Sequence, residues 1–534
     1  MKRLLLKIQA IVLTALGLLG YAVRPSLADT AQTTMAPGQI IVRATPGMSE
    51  ADVRNLAANA KCDLVKAVPF CPNFYVVRLQ SYAGKTLPAE EVITDEVKAA
   101  IEALTATPGI AADPNLILRA TRSSRRDGAK SRAVAPPSGL NLIPNDPLYD
   151  REWGLRAIRM PEAWAIQTGN KAIVVGVADT GIDVGHPDFA NPDGTGTRIV
   201  AAANFVAGSS TVQDGDGHGT HVAGTIASTT NNNSPTGVAS VAGWNRGGVD
   251  VKLVIARVLD NNGAGTTDGV ISGIGYLVNQ KVNVINLSLG GRGNAAPQAM
   301  IDVIKRAIDA KIVVVAAAGN DNQSSSGTSK FYPANLPGVI NVTAVGPGLT
   351  KATYSTYGGT VAIAAPGGDG DGSQAGVLIW STFTRGGATP PGYPPTDVDG
   401  YTAIQGTSMA SPHVAGAAAL LLAAGATQDP ATIKLLLQQS AKQLNETPNF
   451  DGGNNYGAGL LDVYSALLPL SDPPFSAVLV GPQDRGSYLA KQVSPIIIQV
   501  VGVTKAPAAG VVKVLVTDLR GNVVYTYREG TDFT

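Results

Sequence analysis

Between about residues 145 and 468, short apolar runs rich in β-branched residues alternate with longer helical segments. The runs occupy residues 172–178, 251–256, 282–287, 312–317 and 339–345. The helical segments occupy residues 218–228, 267–279 and 297–310. Uninterrupted apolar runs are typical of strands buried on both faces, and their alternation with helices indicates a parallel sheet. The pattern predicts an α/β fold with a doubly wound, mainly parallel sheet.

Polar residues follow three of these runs, where the predicted strands end. They are Asp179, Ser288 and Asn320. In open α/β sheets, ligands bind beyond the carboxyl ends of the strands. These residues are therefore candidates for a functional site at one edge of the sheet.

Ser408 lies between a glycine-led turn and an apolar run at residues 414–424 that is long enough for a buried helix. Pro412 has no N–H and is expected in the first turn of that helix, where the donor would be unpaired anyway. Ser408 is then at a helix N-terminus, where free N–H groups favour negative charge. It is a candidate nucleophile, and the alternative is an ordinary N-cap.

A serine nucleophile needs a base and a group that orients the base. The chain has four histidines: His186, His218, His221 and His413. One interpretation of His218 and His221 is a metal site, although zinc needs three or four ligands and no Cys or H-E-x-x-H accompanies them. The other makes one of them the base for Ser408, with Asp179 accepting an imidazole N–H. A lone Asp at a strand end is otherwise a turn residue.

The first 28 residues are typical of a secretory signal peptide, with a basic start, an apolar stretch at residues 8–23 and small residues before Ala28. They predict a secreted protein, extracellular or periplasmic. The alternative is an uncleaved membrane anchor. No later stretch reaches the roughly 18 to 20 apolar residues that span a bilayer, so no membrane association is expected after signal removal.

Residues 29–120 form a predicted α+β unit. We expect strands at residues 39–44, 73–80 and 116–120, and helices at residues 49–60 and 88–105. Ser49 is the expected cap of the first helix. Cys62 and Cys71 are the only cysteines, and spacing leaves open whether they form a disulfide or remain two thiols.

A linker at residues 121–144, rich in Arg and Lys and ending in prolines, is expected to be exposed and easily cut. Residues 472–534 predict a short β-rich module, with strands at residues 494–501, 510–517 and 522–527, and the module is expected to be incomplete. The net charge of +1 argues against a nucleic-acid partner.

The segments VADTGID, HGTHVAG, NLSLGG, AAAGN and GTSMASPHVAG, in this order, resemble the subtilisin family of serine proteases, and its thermitase-like, secreted bacterial members in particular. The resemblance covers about residues 145–468. It implies an endopeptidase that hydrolyses peptide bonds of proteins through an acyl-enzyme. Ser408 is similar to the nucleophile, His218 to the general base, Asp179 to the orienting carboxylate and Asn320 to an oxyanion donor beside the Ser408 N–H.

The same resemblance implies how a peptide substrate is held. An edge strand that pairs with an extended substrate is implied at Ser288, Leu289 and Gly290. The wall of the pocket for the residue before the scissile bond (the S1 pocket and the P1 residue) is implied at Ala317 and Gly319. At its rim, Asp321 is expected to favour a basic or polar P1 side chain. Phe331 is expected near the floor, where it narrows the pocket.

A structural Ca²⁺ site is also implied by the resemblance. Its carboxylate ligands are Asp146 and Asp188, and Asn233 adds a side-chain oxygen, with Asn232 as a substitute. The carbonyl oxygens of Thr229, Thr236 and Val238 complete an all-oxygen site of the kind that calcium prefers. The alternative is that these are ordinary turn residues. No catalytic cofactor is implied.

The unit at residues 29–120 resembles the ferredoxin-like inhibitory propeptide of this family, which occupies the active-site cleft. Maturation cleavage is then expected in the linker, with a mature N-terminus between about residues 119 and 150. Its partners would be protein or peptide substrates and its own propeptide, and the protein would be a monomer. A second hypothesis is a non-catalytic, secreted binding or adhesion protein that keeps this fold, motivated by the C-terminal β module.

Overall fold

The structure is a computed structural model of the 534-residue chain. It describes residues 33–123, 142–170, 172–191, 196–231, 236–244, 251–370, 375–385, 398–444, 455–470, 513–517 and 523–528. The predicted signal peptide and most of the predicted linker lie outside the described residues. In this part of the chain, no helix combines the length and apolar character that a membrane crossing requires.

The N-terminal unit is a sheet covered on one face by two helices. Its elements are β1 (Thr34–Arg43), α1 (Glu50–Asn59), β2 (Cys62–Ala67), β3 (Phe74–Leu79), β4 (Glu91–Val92), α2 (Asp95–Thr105) and β5 (Ala111–Ala120). The main strands are antiparallel in the order β5-β1-β3-β2. Ser49 caps α1 in a reciprocal capping box with Asp52, as the sequence predicts.

The second predicted helix, at residues 88–105, is wrong over its first turns. The helix begins at Asp95, and Thr94 caps it by accepting a hydrogen bond from the Val97 N–H. The preceding residues form β4, which pairs with β1. Glu91 in β4 accepts hydrogen bonds from the Gly38 N–H and the Tyr82 hydroxyl, and these long-range partners hold the segment extended.

The larger unit contains the expected sheet. Its strands are β6 (Val174–Asp179), β7 (Ile199–Asn204), β8 (Lys252–Arg257), β9 (Ala264–Thr266), β10 (Val284–Leu287), β11 (Leu289–Gly293), β12 (Val313–Ala317), β13 (Lys330–Tyr332), β14 (Ile340–Val345), β15 (Ile363–Pro366), β16 (Ile379–Thr382) and β17 (Tyr401–Ile404). Seven of them form a parallel sheet in the order β15-β14-β12-β10-β6-β8-β7. All five apolar runs are strands of this sheet. The two edge strands, β7 and β15, were not predicted, because β7 is half-exposed and β15 is very short.

Helices cover both faces of the parallel sheet. They are α3 (Trp153–Ala157), α4 (Met160–Ile166), α5 (His218–Ala227), α6 (Thr267–Asn279), α7 (Gln298–Asp309), α8 (Thr407–Ala423), α9 (Pro430–Ser440) and α10 (Val463–Leu467). In β12, Val313 and Val315 join the core beneath α5 and α8, whereas Val314 and Ala316 join the core beneath α6 and α7. This alternation of side chains between two cores confirms the doubly wound α/β fold.

The sequence placed Pro412 in the first turn of its helix, and this prediction is wrong. Helix α8 begins at Thr407, and Pro412 lies inside it. Because proline has no N–H, it cannot bond the carbonyl of the residue four positions earlier, which is Ser408. The Ser288 hydroxyl donates to that carbonyl oxygen instead, at 2.8 Å. Ser408 is at the helix start as predicted, but the reason given for it was wrong.

The N-terminal unit packs on α6 and α7. Its strand β5 also pairs with β9 and β11 of the larger unit, so one eight-stranded sheet crosses both units. Lys66 forms an ion pair with Asp268, and Phe70 packs edge-on against Tyr276. The two cysteines are free buried thiols, which resolves the alternative that spacing left open.

Two strands are described near the C-terminus, β18 (Lys513–Thr517) and β19 (Val523–Arg528). They form an antiparallel pair. These are two of the strands predicted for the β module, at residues 510–517 and 522–527. The third, at residues 494–501, lies outside the described residues.

Candidate active site

Three candidate catalytic side chains from distant parts of the chain are buried at the end of β6 and at the starts of α5 and α8. Asp179 is the last residue of β6, His218 the first residue of α5, and Ser408 lies in the first turn of α8. None of the three is exposed to solvent. His218 Nδ1 lies 2.7 Å from Asp179 Oδ1, and because a carboxylate only accepts, the imidazole donates.

The loop before His218 fixes the position of this imidazole. Asp214 accepts hydrogen bonds from the Gly217 N–H at 2.8 Å and the Thr220 N–H at 2.9 Å, which anchors the start of α5. Thr180 donates its N–H to Asp179 at 2.7 Å and accepts the Gly219 N–H at 2.8 Å. The sequence analysis did not identify either as a supporting residue, although Thr180 lies inside the VADTGID motif and Asp214 lies four residues before the HGTHVAG motif.

The Ser408 hydroxyl is engaged by the backbone and by the chain's own N-terminal unit. It donates to the Ser288 carbonyl oxygen at 2.9 Å and is in close contact with the Thr121 hydroxyl. His218 Nε2 is buried and has no hydrogen-bond partner in the described part of the chain. The imidazole therefore keeps one nitrogen free to accept a proton, while the Ser408 hydroxyl is bonded elsewhere.

The Thr121 carbonyl oxygen lies against the N-terminal end of α8. The Ser408 N–H donates to the carbonyl oxygen of Thr121 at 3.2 Å. A Cβ at Gly406 would lie 2.4 Å from this oxygen and 3.2 Å from Asn320 Nδ2, so both atoms pack against the glycine. Asn320 Nδ2 and the Thr121 carbonyl oxygen therefore both lie at Gly406, two residues before Ser408, and the oxyanion role of Asn320 stays a prediction.

Thr407 orients the Asn320 amide. Asn320 Oδ1 accepts from both the N–H and the hydroxyl of Thr407, each at 2.9 Å. Its Nδ2 is buried and unpartnered among the described residues. The amide therefore presents its donor to the site. Sequence reasoning missed Thr407, although it immediately precedes the serine that it supports.

The last strand of the N-terminal unit lies in a cleft between two strands of the larger unit. Leu289 and Gly290 pair with Ala120 and Arg119. On the other side, the Ala120 N–H donates to the Gly263 carbonyl at 2.9 Å. The Thr121 N–H donates to the Ser288 carbonyl at 3.1 Å. The predicted edge strand at Ser288, Leu289 and Gly290 therefore does pair with an extended chain, which here is the protein's own.

The chain continues through the cleft after Thr121. The Arg122 guanidinium donates to both carboxylate oxygens of Asp216, at 2.8 and 2.6 Å. The Ser123 N–H donates to the Gln405 carbonyl at 2.9 Å. Thr121 is 6% exposed and Ser123 is 5% exposed. The expectation of an exposed linker is therefore wrong for its first residues, because backbone bonds and the Asp216 carboxylate hold them in the cleft.

The predicted S1 pocket is nearly filled. A Cβ at Gly290 would lie 2.3 Å from the Phe331 ring, and one at Gly319 would lie 2.9 Å from it, so the ring lies between these two walls. Ala317, at the end of β12, is fully buried. Phe331 therefore narrows the pocket, as the sequence suggested.

Asp321 does not offer a free carboxylate to a basic P1 residue. It is paired with Arg292, whose guanidinium also donates to the Ser329 carbonyl oxygen at 2.8 Å. The expectation that Asp321 favours a basic P1 side chain is wrong, because Arg292 neutralises it. This pairing joins residues far apart in the sequence and leaves no local signal.

The two remaining motif histidines have packing roles. His221 Nε2 bonds the Ile379 carbonyl at 3.0 Å, and His413 Nδ1 bonds the Met409 carbonyl at 2.8 Å. Burial lowers the pKa of His221 to about 3 and that of His413 to about 4, so both are neutral. Within the described ranges, no group of three or more His, Cys, Asp or Glu side chains is arranged to hold a metal.

The proposed calcium ligands come together only in part. Asp146 and Asp188 are buried, and Glu152 lies close enough that both raise its pKa, although burial is the larger cause. Asp146 Oδ2 accepts from the Asn231 N–H at 2.7 Å. Its Oδ1 is buried with no partner in the described residues. An unpaired carboxylate oxygen in such an acidic, buried place fits a cation.

Two of the other proposed residues contact Asp188 through their N–H groups, and the Val238 carbonyl oxygen accepts the Ser228 hydroxyl at 3.1 Å. Asp188 Oδ2 accepts from the Val238 N–H at 3.2 Å, and the Thr229 N–H donates to the Asp188 carbonyl at 2.6 Å. The Thr236 carbonyl oxygen lies 3.5 Å from the Tyr401 hydroxyl, at the same side of the unit. Asn232 and Asn233 lie outside the described residues.

Comparisons with known proteins agree with this geometry. The sequence model of the Subtilase family matches residues 170–459. Thermitase from Thermoactinomyces vulgaris is 36% identical over 61% of this chain and 99% of its own length. Subtilisin DY from Bacillus licheniformis is 35% identical over 59% of this chain and 97% of its own length.

Two solved structures extend the likeness to the fold. A protease from Pseudoalteromonas arctica PAMC 21717 matches with a TM-score of 0.52 and 32% identity, over 61% of this chain and 99% of its own. Fervidolysin from Fervidobacterium pennivorans, described as a keratinolytic enzyme related to subtilisin, matches with a TM-score of 0.61 and 26% identity. That match covers 81% of this chain and 61% of the fervidolysin chain.

Proposed function

Because the chain belongs to the subtilase family and is a serine-type endopeptidase that acts on proteins, we propose that it is made as a secreted zymogen whose N-terminal unit blocks its own cleft. Asp179, His218 and Ser408 are the catalytic triad in this proposal. The Ser408 N–H and Asn320 Nδ2 bind the oxyanion. No observation in the structure favours the non-catalytic binding protein.

The proposed reaction gives each of these groups one role. Ser408 Oγ attacks the substrate carbonyl carbon while His218 Nε2 takes its proton, and Asp179 accepts the Nδ1–H of the resulting imidazolium. The Ser408 N–H and Asn320 Nδ2 stabilise the negative oxygen. His218 then gives the proton to the leaving amine, which leaves an acyl-enzyme. Water, deprotonated by the same nitrogen, hydrolyses the ester and restores Ser408.

One contact carries the zymogen proposal: the Thr121 carbonyl oxygen accepts the Ser408 N–H at 3.2 Å. A chain lying in this register presents the Thr121–Arg122 peptide bond to the serine. The main-chain pairs on both sides of β5 are those that an extended substrate would make. The fervidolysin match covers 81% of this chain, well beyond the residues of the family match, and supports an N-terminal unit that belongs to the same architecture.

Hydrolysis in ¹⁸O-labelled water tests this assignment. The full chain is allowed to process itself, and the released N-terminal fragment is identified by mass spectrometry. The expected fragment ends at Thr121 and carries ¹⁸O in its terminal carboxylate, because water hydrolyses the acyl-enzyme. Labelled fragments that end at another residue, with none ending at Thr121, would contradict the proposed scissile bond.

The matched control is Ser408→Ala, which keeps the fold but has no nucleophile. Loss of this serine in a subtilisin, a relative of this chain, lowers kcat by about 10⁶. We expect the variant to remain uncleaved at the Thr121–Arg122 bond and not to react with a fluorophosphonate. Processing of this variant by its own activity would refute the role of Ser408.

The calcium proposal concerns stability and not the reaction. Asp146, Asp188 and Asn233, with the carbonyls of Thr229, Thr236 and Val238, would hold the ion, which supplies positive charge to a buried acidic cluster. At a calcium concentration near 100 Kd, the bound ion raises the free energy of unfolding by about 2.7 kcal/mol. Chelation should therefore lower the Tm by about 4 °C, and added Ca²⁺ should restore it where Mg²⁺ does not. An unchanged Tm on chelation would contradict the site.

Secretion and oligomeric state are proposed on the sequence. Residues 1–28 would direct export and be removed, and the mature protein would be a monomer. Recovery of the protein in the culture supernatant, and sedimentation as a single chain, test these two points.

A further inference from the structure

Asp216 is an acidic residue placed at the far side of the scissile bond. It lies two positions before His218, and its side chain is 3% exposed. Its two oxygens accept the Arg122 guanidinium at 2.8 and 2.6 Å. This two-point geometry matches the planar fork of arginine to a carboxylate, which is the strongest form of a charged hydrogen bond.

The position of Arg122 along the cleft identifies the subsite. Thr121 presents its carbonyl to the Ser408 N–H, so Arg122 is the residue after the scissile bond, at P1′. Ser123 follows as P2′ and bonds the Gln405 carbonyl at 2.9 Å, so the chain remains extended through this part of the cleft. Asp216 therefore lies in the S1′ subsite.

The surroundings leave the carboxylate in need of a cation. Asp216 also accepts the His218 N–H at 3.2 Å, which fixes one oxygen. Burial raises its pKa, the Arg122 and His218 side chains lower it, and nearby Asp214 raises it. A buried carboxylate with an acidic neighbour is costly unless a positive group pairs with it. Once Arg122 leaves the cleft, a substrate side chain can take its place.

We propose that Asp216 is a specificity-determining residue that selects arginine, and lysine less strongly, at P1′ of protein substrates. The inference rests on the proposed position of the Thr121–Arg122 bond at Ser408. Arginine is favoured because its guanidinium reaches both carboxylate oxygens, whereas a lysine ammonium is a single compact charge. With Phe331 in the S1 pocket, the preferred site is a small residue followed by a basic one, as in the chain's own Thr121–Arg122.

Internally quenched peptides that differ only at P1′ provide the test. The enzyme obtained by self-processing of the full chain is assayed on peptides with arginine, lysine or citrulline at P1′. Citrulline keeps the shape of arginine and removes its charge. We expect kcat/KM for arginine to exceed that for citrulline by about ten-fold or more. In Asp216→Asn this ratio should fall to about one, because Asn keeps a side-chain oxygen for the His218 N–H but loses the charge.

The ratio of kcat/KM for the arginine and citrulline peptides is measured with the same enzyme. A general loss of activity in Asp216→Asn therefore does not change it. Asp321→Asn is the matched control, since it removes an acidic charge from the S1 side of the same cleft, where Arg292 holds it. The arginine preference should persist in this variant. A preference that survives in Asp216→Asn, or that is lost equally in both variants, overturns the inference.

Fluorophosphonate labelling separates this inference from the proposal on which it rests. An enzyme that is labelled at Ser408 and cuts the arginine and citrulline peptides with equal efficiency overturns the role of Asp216 alone. An enzyme that is neither labelled at Ser408 nor able to cut any peptide overturns the proposed function, and the P1′ inference with it.

Discussion

The chain is held differently on the two sides of the Thr121–Arg122 bond. Before the bond, β5 lies between β9 and β11 and is bound mainly through backbone N–H and C=O groups. After it, Arg122 is bound through its side chain to Asp216. Backbone bonds recognise an extended shape with little regard to sequence, whereas a buried ion pair recognises a residue type. Selectivity is therefore expected to be concentrated after the bond, with the S1 pocket as the exception.

Substrate binding can be separated from the chemical step by removing the Asn320 amide, the proposed oxyanion donor at the Thr121–Arg122 bond. Asn320→Ala should lower kcat by about 10²–10³, the value for such a donor in subtilisin, a relative of this chain. KM should change little, because the strand pairs and the Asp216 contact remain. Steady-state kinetics on one peptide measures both constants.

Thr407→Val gives a graded control for this prediction. It removes the hydroxyl that helps to orient the Asn320 amide but leaves the donor in place. A smaller loss of kcat, of about ten-fold, is expected from one neutral hydrogen bond. A rise in KM with unchanged kcat in Asn320→Ala would instead assign Asn320 to ground-state binding.

The selectivity of the S1 pocket, which lies before the Thr121–Arg122 bond, is tested by substitution of Phe331. Its ring fills the space between Gly290 and Gly319, so Phe331→Ala should admit large P1 side chains. Burying an aromatic side chain there should raise the kcat/KM ratio of a phenylalanine to an alanine P1 peptide by about 10- to 100-fold. Phe331→Leu should give a smaller rise. If the ratio does not change in a variant that folds, the pocket lies elsewhere.

The smallest effect concerns the interface behind β5. Burial raises the pKa of Asp113 to about 6 from a usual 3.8; the Asp302 carboxylate adds to this shift, whereas the Gln298 N–H and Arg43 oppose it. The docked unit therefore holds a proton between about pH 4 and 6 that the released unit does not. Docking weakens as the pH rises through this window, and the loss is complete above about pH 6.

Asp113→Asn removes this dependence on pH. After processing, activity should appear roughly three- to ten-fold more slowly than in the wild type at pH 8, and at a rate much nearer that of the wild type at pH 4. The matched variant Asp302→Asn breaks the ion pair with Arg43 and should speed the appearance of activity. Equal slowing of Asp113→Asn at both pH values would contradict the role of its ionisation.

Local sequence patterns predicted the parallel sheet, and the resemblance of short motifs to a known family predicted the order of the catalytic candidates and the edge strand at residues 288–290. Apolar runs and short motifs carry that information because it depends on neighbouring residues. Two features could not be predicted because their partners are far apart in the chain. Arg292 neutralises Asp321, and Arg122 finds Asp216 across 94 positions. The prediction that Pro412 lies in the first turn of its helix was wrong for a related reason. The Ser288 hydroxyl bonds the Ser408 carbonyl oxygen, which the proline leaves without an N–H partner.

Alkylation of the two buried thiols would report when the N-terminal unit separates from the larger unit. Cys71 Sγ donates to the Ile271 carbonyl at 3.3 Å, so the interface with α6 covers it. Cys62 is 1% exposed inside the core of its own unit. Burial raises the pKa of both thiols to about 11, so neither is reactive while the units are docked. Separation of the units exposes Cys71 but not Cys62. The rate of Cys71 alkylation would therefore measure how long the units stay docked, independently of catalysis. Cys62 would serve as the internal standard.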